Sequence, residues 1–131
     1  MKESYTKEEI IRYRHDKSLQ LIKEVEFLLD GGYANAAVSR MYYACYHAIS
    51  ALLFSHGIET KTHKGLRLQF GNHFVKTGKI DAVEAMVFTE IADKRHQSDY
   101  DDFMDFSVER AKEFFPEIKR LIETVNRMTI L

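Results

Sequence analysis

The chain has 131 residues, enough for one domain with one hydrophobic core and no disulfide or metal staples. Nineteen basic and 20 acidic residues give a formal net charge of −1, which excludes the bulk signature of a general nucleic-acid coat but leaves room for a local basic site. One cysteine excludes an internal disulfide and fits a reducing, cytoplasmic setting; a polar start without the apolar run of a signal peptide, and no apolar run near the ~20 residues that cross a bilayer, argue against membrane partners.

Helical periodicity dominates the chain. A first helix is predicted from about Lys7 to Asp30, where Thr6 and Glu9 have capping-box spacing and each can satisfy an orphan amide. Ile11, Ser18, Ile22, Val25 and Leu29 share one of its faces, and Gly31-Gly32 ends it. A second helix runs from about Tyr33 to Ser55. Ala34, Ala36, Ala37, Ala44, Ala48 and Ala51 make it slim, so neighbours can approach closely and it belongs at the centre of the fold. Gly57 stops it, and residues 58–62 read as a loop.

A third helix covers about His63 to Lys76, with Leu66, Phe70 and Phe74 on one side and a weak point at Gly71. After the turn Thr77-Gly78-Lys79, Asp81 to Glu84 has a second cap-like start. The fourth helix then carries Val83, Val87, Glu90, Ile91 and Lys94. Residues 94–103 read as a turn-rich polar decapeptide. The last helix covers about Phe106 to Met128, with Pro116 as a kink or a new start. The expected architecture is a single all-α domain over residues 1–131: an antiparallel up-and-down bundle of four long helices plus one shorter helix.

Two polar clusters stand out against this scaffold. In the second helix, Arg40, Tyr43 and His47 follow i, i+3, i+7 and share a face. A cation among alanines and tyrosines needs an anionic partner. That partner is either a phosphate in a polar pocket or a carboxylate on the fourth or last helix, in a buried salt bridge. In the decapeptide, Arg95 can grip phosphate oxygens bidentately, Tyr100 can donate to the same anion, and Asp99 can orient Arg95 or cap the next helix. His96 titrates near neutrality and is a candidate general acid/base; His47 is packed or catalytic. If the two clusters meet in space, they make one site.

Other chemistries lack their motifs. The six histidines form no HExxH and no Glu-x-x-His pair, so no metal and no cofactor is expected. Glycine-rich phosphate loops and a Gly-x-Ser-x-Gly elbow are missing. Cys45 and His47 diverge by about 200° on a helix, so the thiol reads as packed.

The second-helix run Ala36-Ala37-Val38-Ser39-Arg40-Met41-Tyr42-Tyr43-Ala44 and the later Arg95-x-x-x-Asp99-Tyr100 resemble the HEPN family, the higher eukaryotes and prokaryotes nucleotide-binding domains. The likeness is strongest to the small, stand-alone prokaryotic branch, and helix order agrees over nearly the whole chain. It implies a helical bundle of the nucleotidyltransferase substrate-binding-subunit type, a homodimer with its polar cleft near the dimer interface, and a minimal nucleotidyltransferase as partner in a toxin–antitoxin pair. Active relatives are metal-independent ribonucleases with an Arg-x4–6-His motif; others bind nucleotides or are inactive partners. Where that motif would put histidine, this chain has Tyr100, Asp101 and Asp102.

Three functions follow as expectations. One is a nucleotide- or RNA-binding module in which Arg40, Tyr43, Arg95, Asp99 and Tyr100 hold the phosphate and base. Another is a metal-independent endoribonuclease in which Arg95 stabilises charge and His96 or His47 moves the proton. The third is a ligand-free scaffold.

Overall fold

A computed structural model describes residues 4–131. Its helices are α1 (Lys7–Asp30), α2 (Ala34–Ser55), α3 (His63–Phe70), α4 (Ala82–Tyr100) and α5 (Val108–Met128). Four of the five begin where a side chain occupies an orphan amide. At α1 the Thr6 hydroxyl accepts from the Glu9 amide while the Glu9 carboxylate accepts from the Thr6 amide, the reciprocal box its sequence predicts. Thr62, Asp81 and Ser107 cap α3, α4 and α5 in the same single-sided way. Gly32 (φ 85°) and Gly57 (φ 83°) take the left-handed conformation that turns the chain out of α1 and α2.

α2 lies at the centre, as its alanines predict. More than half of its residues are buried, and it packs against α1, α3, α4 and α5. Close approach to α1 is visible at Ser18. This buried hydroxyl donates to the Ala44 carbonyl oxygen at 2.7 Å, so a polar group inside the α1–α2 seam is satisfied rather than stranded. Residues 31–33 join the two helices, which makes them antiparallel neighbours. With α1, α2, α4 and α5 long and α3 short, the bundle is all-α and of the expected type.

The structure departs from the sequence reading at four places. Residues 94–100 are not turn-rich, because α4 runs on to Tyr100. Buried Phe88 and Ile91 anchor the helix, and the Arg95–Asp99 pair at i, i+4 supports its last turns, outweighing weak local propensity. α3 ends at Phe70 and continues as one wider π-helical turn, Gly71–Val75, so the weak point at Gly71 becomes a change of helix type. Along α4 the buried stripe is Ala85, Phe88 and Ile91, while Val83 is 76% exposed. Of the two alternatives for Pro116, the new start is ruled out, because α5 runs through this residue. It lies on the exposed side, where water can satisfy the Lys112 carbonyl that loses its amide donor.

Between α4 and α5, Asn35 at the start of α2 clamps the loop. Its amide nitrogen donates to the Asp105 carboxylate at 2.7 Å, and its oxygen accepts from the Phe106 amide at 2.9 Å. Within this loop Phe103 is fully exposed at φ 60°, a left-handed conformation that a bulky side chain resists.

Candidate functional site

α2 and α4 together hold Arg95. Its guanidinium lies 4.7 Å from the centre of the Tyr42 ring and 5.5 Å from that of Tyr43, within cation–π range of both. Its Nη1 donates to the Asp99 carboxylate one turn on, at 3.2 Å. The side chain is only 19% exposed, and its Nε is buried without a hydrogen-bond partner among the described residues. A long, flexible cation has thus been fixed by two rings and a carboxylate, with one donor left unsatisfied.

The rings beneath it form a stack that reaches from core to surface. Buried Tyr42 lies parallel to Phe88, with centres 5.6 Å apart. On α3, His63 stacks on Tyr46 at 4.4 Å and on Tyr42 at 5.7 Å, and its Nδ1 is hydrogen-bonded to the Tyr42 hydroxyl at 2.5 Å. Burial pushes the Tyr42 hydroxyl up to about 12 against the pull of Arg95, so it stays a phenol. Desolvation, helped by Arg95, holds His63 below its ordinary value and therefore neutral at pH 7.

Tyr42, His63, Arg67, Asp93, Arg95 and His96 line a hollow of about 210 Å³ between α2, α3 and α4. Two guanidinium groups, two imidazoles and one carboxylate can attract an anion there and exchange protons with it. At the C-terminal end of α4, the His96 and Tyr100 rings touch, with centres 4.7 Å apart, and Tyr100 is 67% exposed.

The arrangement brings some of the sequence-predicted residues together and separates others. Arg95, Asp99, His96, Tyr100 and Tyr43 gather around the end of α4. Arg40 does not join them. It donates to Glu24 of α1 at 3.1 Å, an exposed pair, where the sequence reading had an acid on the fourth or last helix in a buried bridge. It lines a separate hollow of about 350 Å³ with Lys23, Glu24 and Phe27. The two arginines therefore do not meet in one hollow within this chain, because the α2 face divides: the Arg40 side chain swings to α1 and the Tyr43 ring to α4. His47 is half-buried with its ring edge on Tyr46, also outside the Arg95 hollow. Burial first, then Lys17, Arg14 and His63, holds it below its ordinary value. Cys45 is wholly buried, which pushes its thiol up and makes it inert packing.

Sequence reasoning missed Tyr42, His63, Arg67 and Asp93. Tyr42 left a signal as the neighbour of Tyr43 in the aromatic run, and Asp93 as the i, i+3 neighbour of His96; His63 and Arg67 reach the hollow through helix packing alone. Among the described residues no group of three or more His, Cys, Asp or Glu side chains is placed to hold a metal ion.

A slim central helix, a bundle of four long helices around it and an arginine–aspartate–tyrosine corner ending α4 define a HEPN-type domain. The chain belongs to the HEPN domain family, whose profile matches residues 11–128. It is 30% identical over 128 residues to a UPF0332 protein of Thermotoga maritima, an alignment covering 92% of this chain and 97% of that one. It is 42% identical over 62 residues to UPF0332 protein PH1297 of Pyrococcus horikoshii, covering 47% of this chain and 44% of the relative. A protein of Methanocaldococcus jannaschii named "Putative toxin MJ0142" is 29% identical over 97 residues, covering 74% of this chain and 66% of its own.

Proposed function

We propose that this HEPN-family chain is an RNA-binding module that grips a backbone phosphate or a nucleotide at the Arg95 hollow. The observation that carries this reading is the state of Arg95 before any ligand arrives: fixed by two tyrosines, mostly buried, and with an unsatisfied Nε. Fixing the side chain in advance removes entropy that binding would otherwise cost. The touching rings of His96 and Tyr100 offer a surface on which a base can stack. The module acts as a homodimer in the cytoplasm and partners a minimal nucleotidyltransferase in a toxin–antitoxin-type pair. Family likeness, the toxin name of one relative and the half-exposed α2 stripe of Ser39, Tyr43, Tyr46 and Ser50 support this part.

The test is fluorescence anisotropy with a labelled single-stranded RNA. Arg95→Ala should weaken binding roughly tenfold to a hundredfold, the ~1–3 kcal/mol scale of a charge-assisted contact. Equal affinity of variant and wild type would sink the reading. For the dimer, light scattering should give twice the chain mass, and a monomer at working concentration would remove it.

A second reading, a metal-independent endoribonuclease, is favoured by one observation: His63 and His96 line the same hollow as Arg67 and Arg95. Proton transfer and charge stabilisation would then share one place, without a histidine five to seven residues after Arg95. It predicts RNA cleavage in excess EDTA that Arg95→Ala slows. Intact RNA after incubation with wild-type protein, across varied sequences, retires it.

A further inference from the structure

Resting on the RNA-binding reading, we propose that His63 is a third phosphate ligand beside Arg67 and Arg95, held by Tyr42 so that Nε2 faces the ligand, and that RNA binding draws a proton onto it.

The geometry decides which nitrogen is available. Tyr42 is 4% exposed, so its hydroxyl hydrogen must find an acceptor inside the protein. Its one hydrogen-bond partner among the described residues is His63 Nδ1. If Nδ1–H donated instead, the phenolic hydrogen would have no protein acceptor in the free chain, since the nearby Arg95 only donates. Tyr42 O–H therefore donates to Nδ1, and the neutral ring carries its hydrogen on Nε2. Nε2 has no partner among the described residues, and His63 lines the hollow that holds both guanidinium groups. Stacking on Tyr46 and Tyr42 fixes the plane of the ring.

The charge around His63 explains the coupling. From α2 it meets Tyr42, Tyr43 and Tyr46, and His47 lies close enough for their charges to interact. On its own helix Arg67 shares the hollow, as do Asp93, Arg95 and His96 of α4. Partial desolvation first, then the cation at Arg95, keep His63 neutral in the free protein. A phosphate drawn in by Arg67 and Arg95 reverses the sign of the local field and favours imidazolium. Its Tyr42-bound nitrogen then becomes a donor, and the phenol becomes the acceptor by rotating its hydroxyl hydrogen toward the phosphate in the hollow that Tyr42 also lines. One proton enters from solvent, and no bond between heavy atoms changes. By linkage, a ligand that raises the proton affinity of His63 binds more tightly as pH falls.

The test follows the ring carbons of His63 by NMR while pH is lowered from about 8 to about 5.5. It is done with and without a six-nucleotide RNA lacking terminal phosphates, so that the ligand charge stays constant. The His63 midpoint should rise by about one pH unit with RNA, and RNA affinity should rise roughly tenfold over the same range. His63→Gln keeps a neutral donor but cannot titrate; whatever affinity it loses at pH 8, it should lose most of the gain at low pH. Because His96 also lines the hollow, this difference assigns the effect to His63. Tyr42→Phe keeps the ring and frees Nδ1, and should shrink the RNA-induced shift even if His63→Gln folds poorly. An unchanged His63 midpoint, with binding still sensitive to Arg95→Ala, overturns the inference and leaves the RNA-binding reading standing. No binding by the wild type at either pH overturns both.

Discussion

Arg40 and Arg95 are the same residue on two helices of one bundle, and the fold treats them oppositely. The Arg40 side chain is 45% exposed and meets one carboxylate, Glu24, itself 36% exposed, at a surface seam between α1 and α2. The Arg95 side chain is 19% exposed, lies over two tyrosine rings and keeps a buried donor free. Both have a carboxylate partner, so the ion pair alone does not distinguish them. The distinction lies in desolvation and in how fully the side chain is immobilised. A surface pair gains little against solvent and entropy, whereas a cation clamped on aromatic faces is preorganised for an incoming anion.

Removing each cation sharpens the contrast. Arg95→Ala should show the largest effect, a tenfold to hundredfold loss of RNA affinity by anisotropy. Arg95→Lys should recover only part of it, because an ammonium cannot reproduce the planar fork or its stacking on Tyr42. Arg40→Ala should change affinity less than twofold and stability by less than about 1 kcal/mol in urea unfolding. An Arg40 effect as large as that of Arg95 would break the comparison and point to a shared site built across two copies of the chain.

The smallest effect is in stability against pH. His63 and His47 both sit below their ordinary value when folded, so the unfolded chain binds more protons on acidification. Their contribution is complete above about pH 6.5 and is lost as pH falls through their folded values. Thermal melting should therefore decline below pH 6.5 more steeply in wild type than in a His63→Gln/His47→Gln double variant. Equal slopes would show that neither histidine contributes to the pH dependence of stability.

The bundle was legible because its punctuation is local. Thr6 with Glu9, Asp81, the Gly31-Gly32 pair and Gly57 act within a turn of the helix ends they define. The alanines of α2 revealed its central place for a similar reason: side-chain size alone sets how closely helices approach. The candidate site was legible only in half. Arg95, Asp99 and Tyr100 lie within six residues, so one helix end brings them together. His63 and Arg67 come from a separate helix, 21 or more residues from Tyr42, and no spacing rule connects them. Their position depends on the angle at which α3 crosses α2, a property of packed surfaces. The polar 94–103 segment misled for the converse reason: its Ser and Asp residues favour turns locally, and packing of Phe88 and Ile91 overrides them.

Phe103 has a consequence for how this chain can vary. Holding a phenyl-bearing residue at φ 60° opposes folding through backbone strain, and its ring, wholly in water, contributes no burial to offset that cost. Asn35 pins the chain two and three residues later, so the loop cannot relax freely around it. Glycine would suit the fold better at this position, and Phe103→Gly should raise the melting temperature slightly. Position 103 is therefore one where a substitution can add stability without touching the buried core.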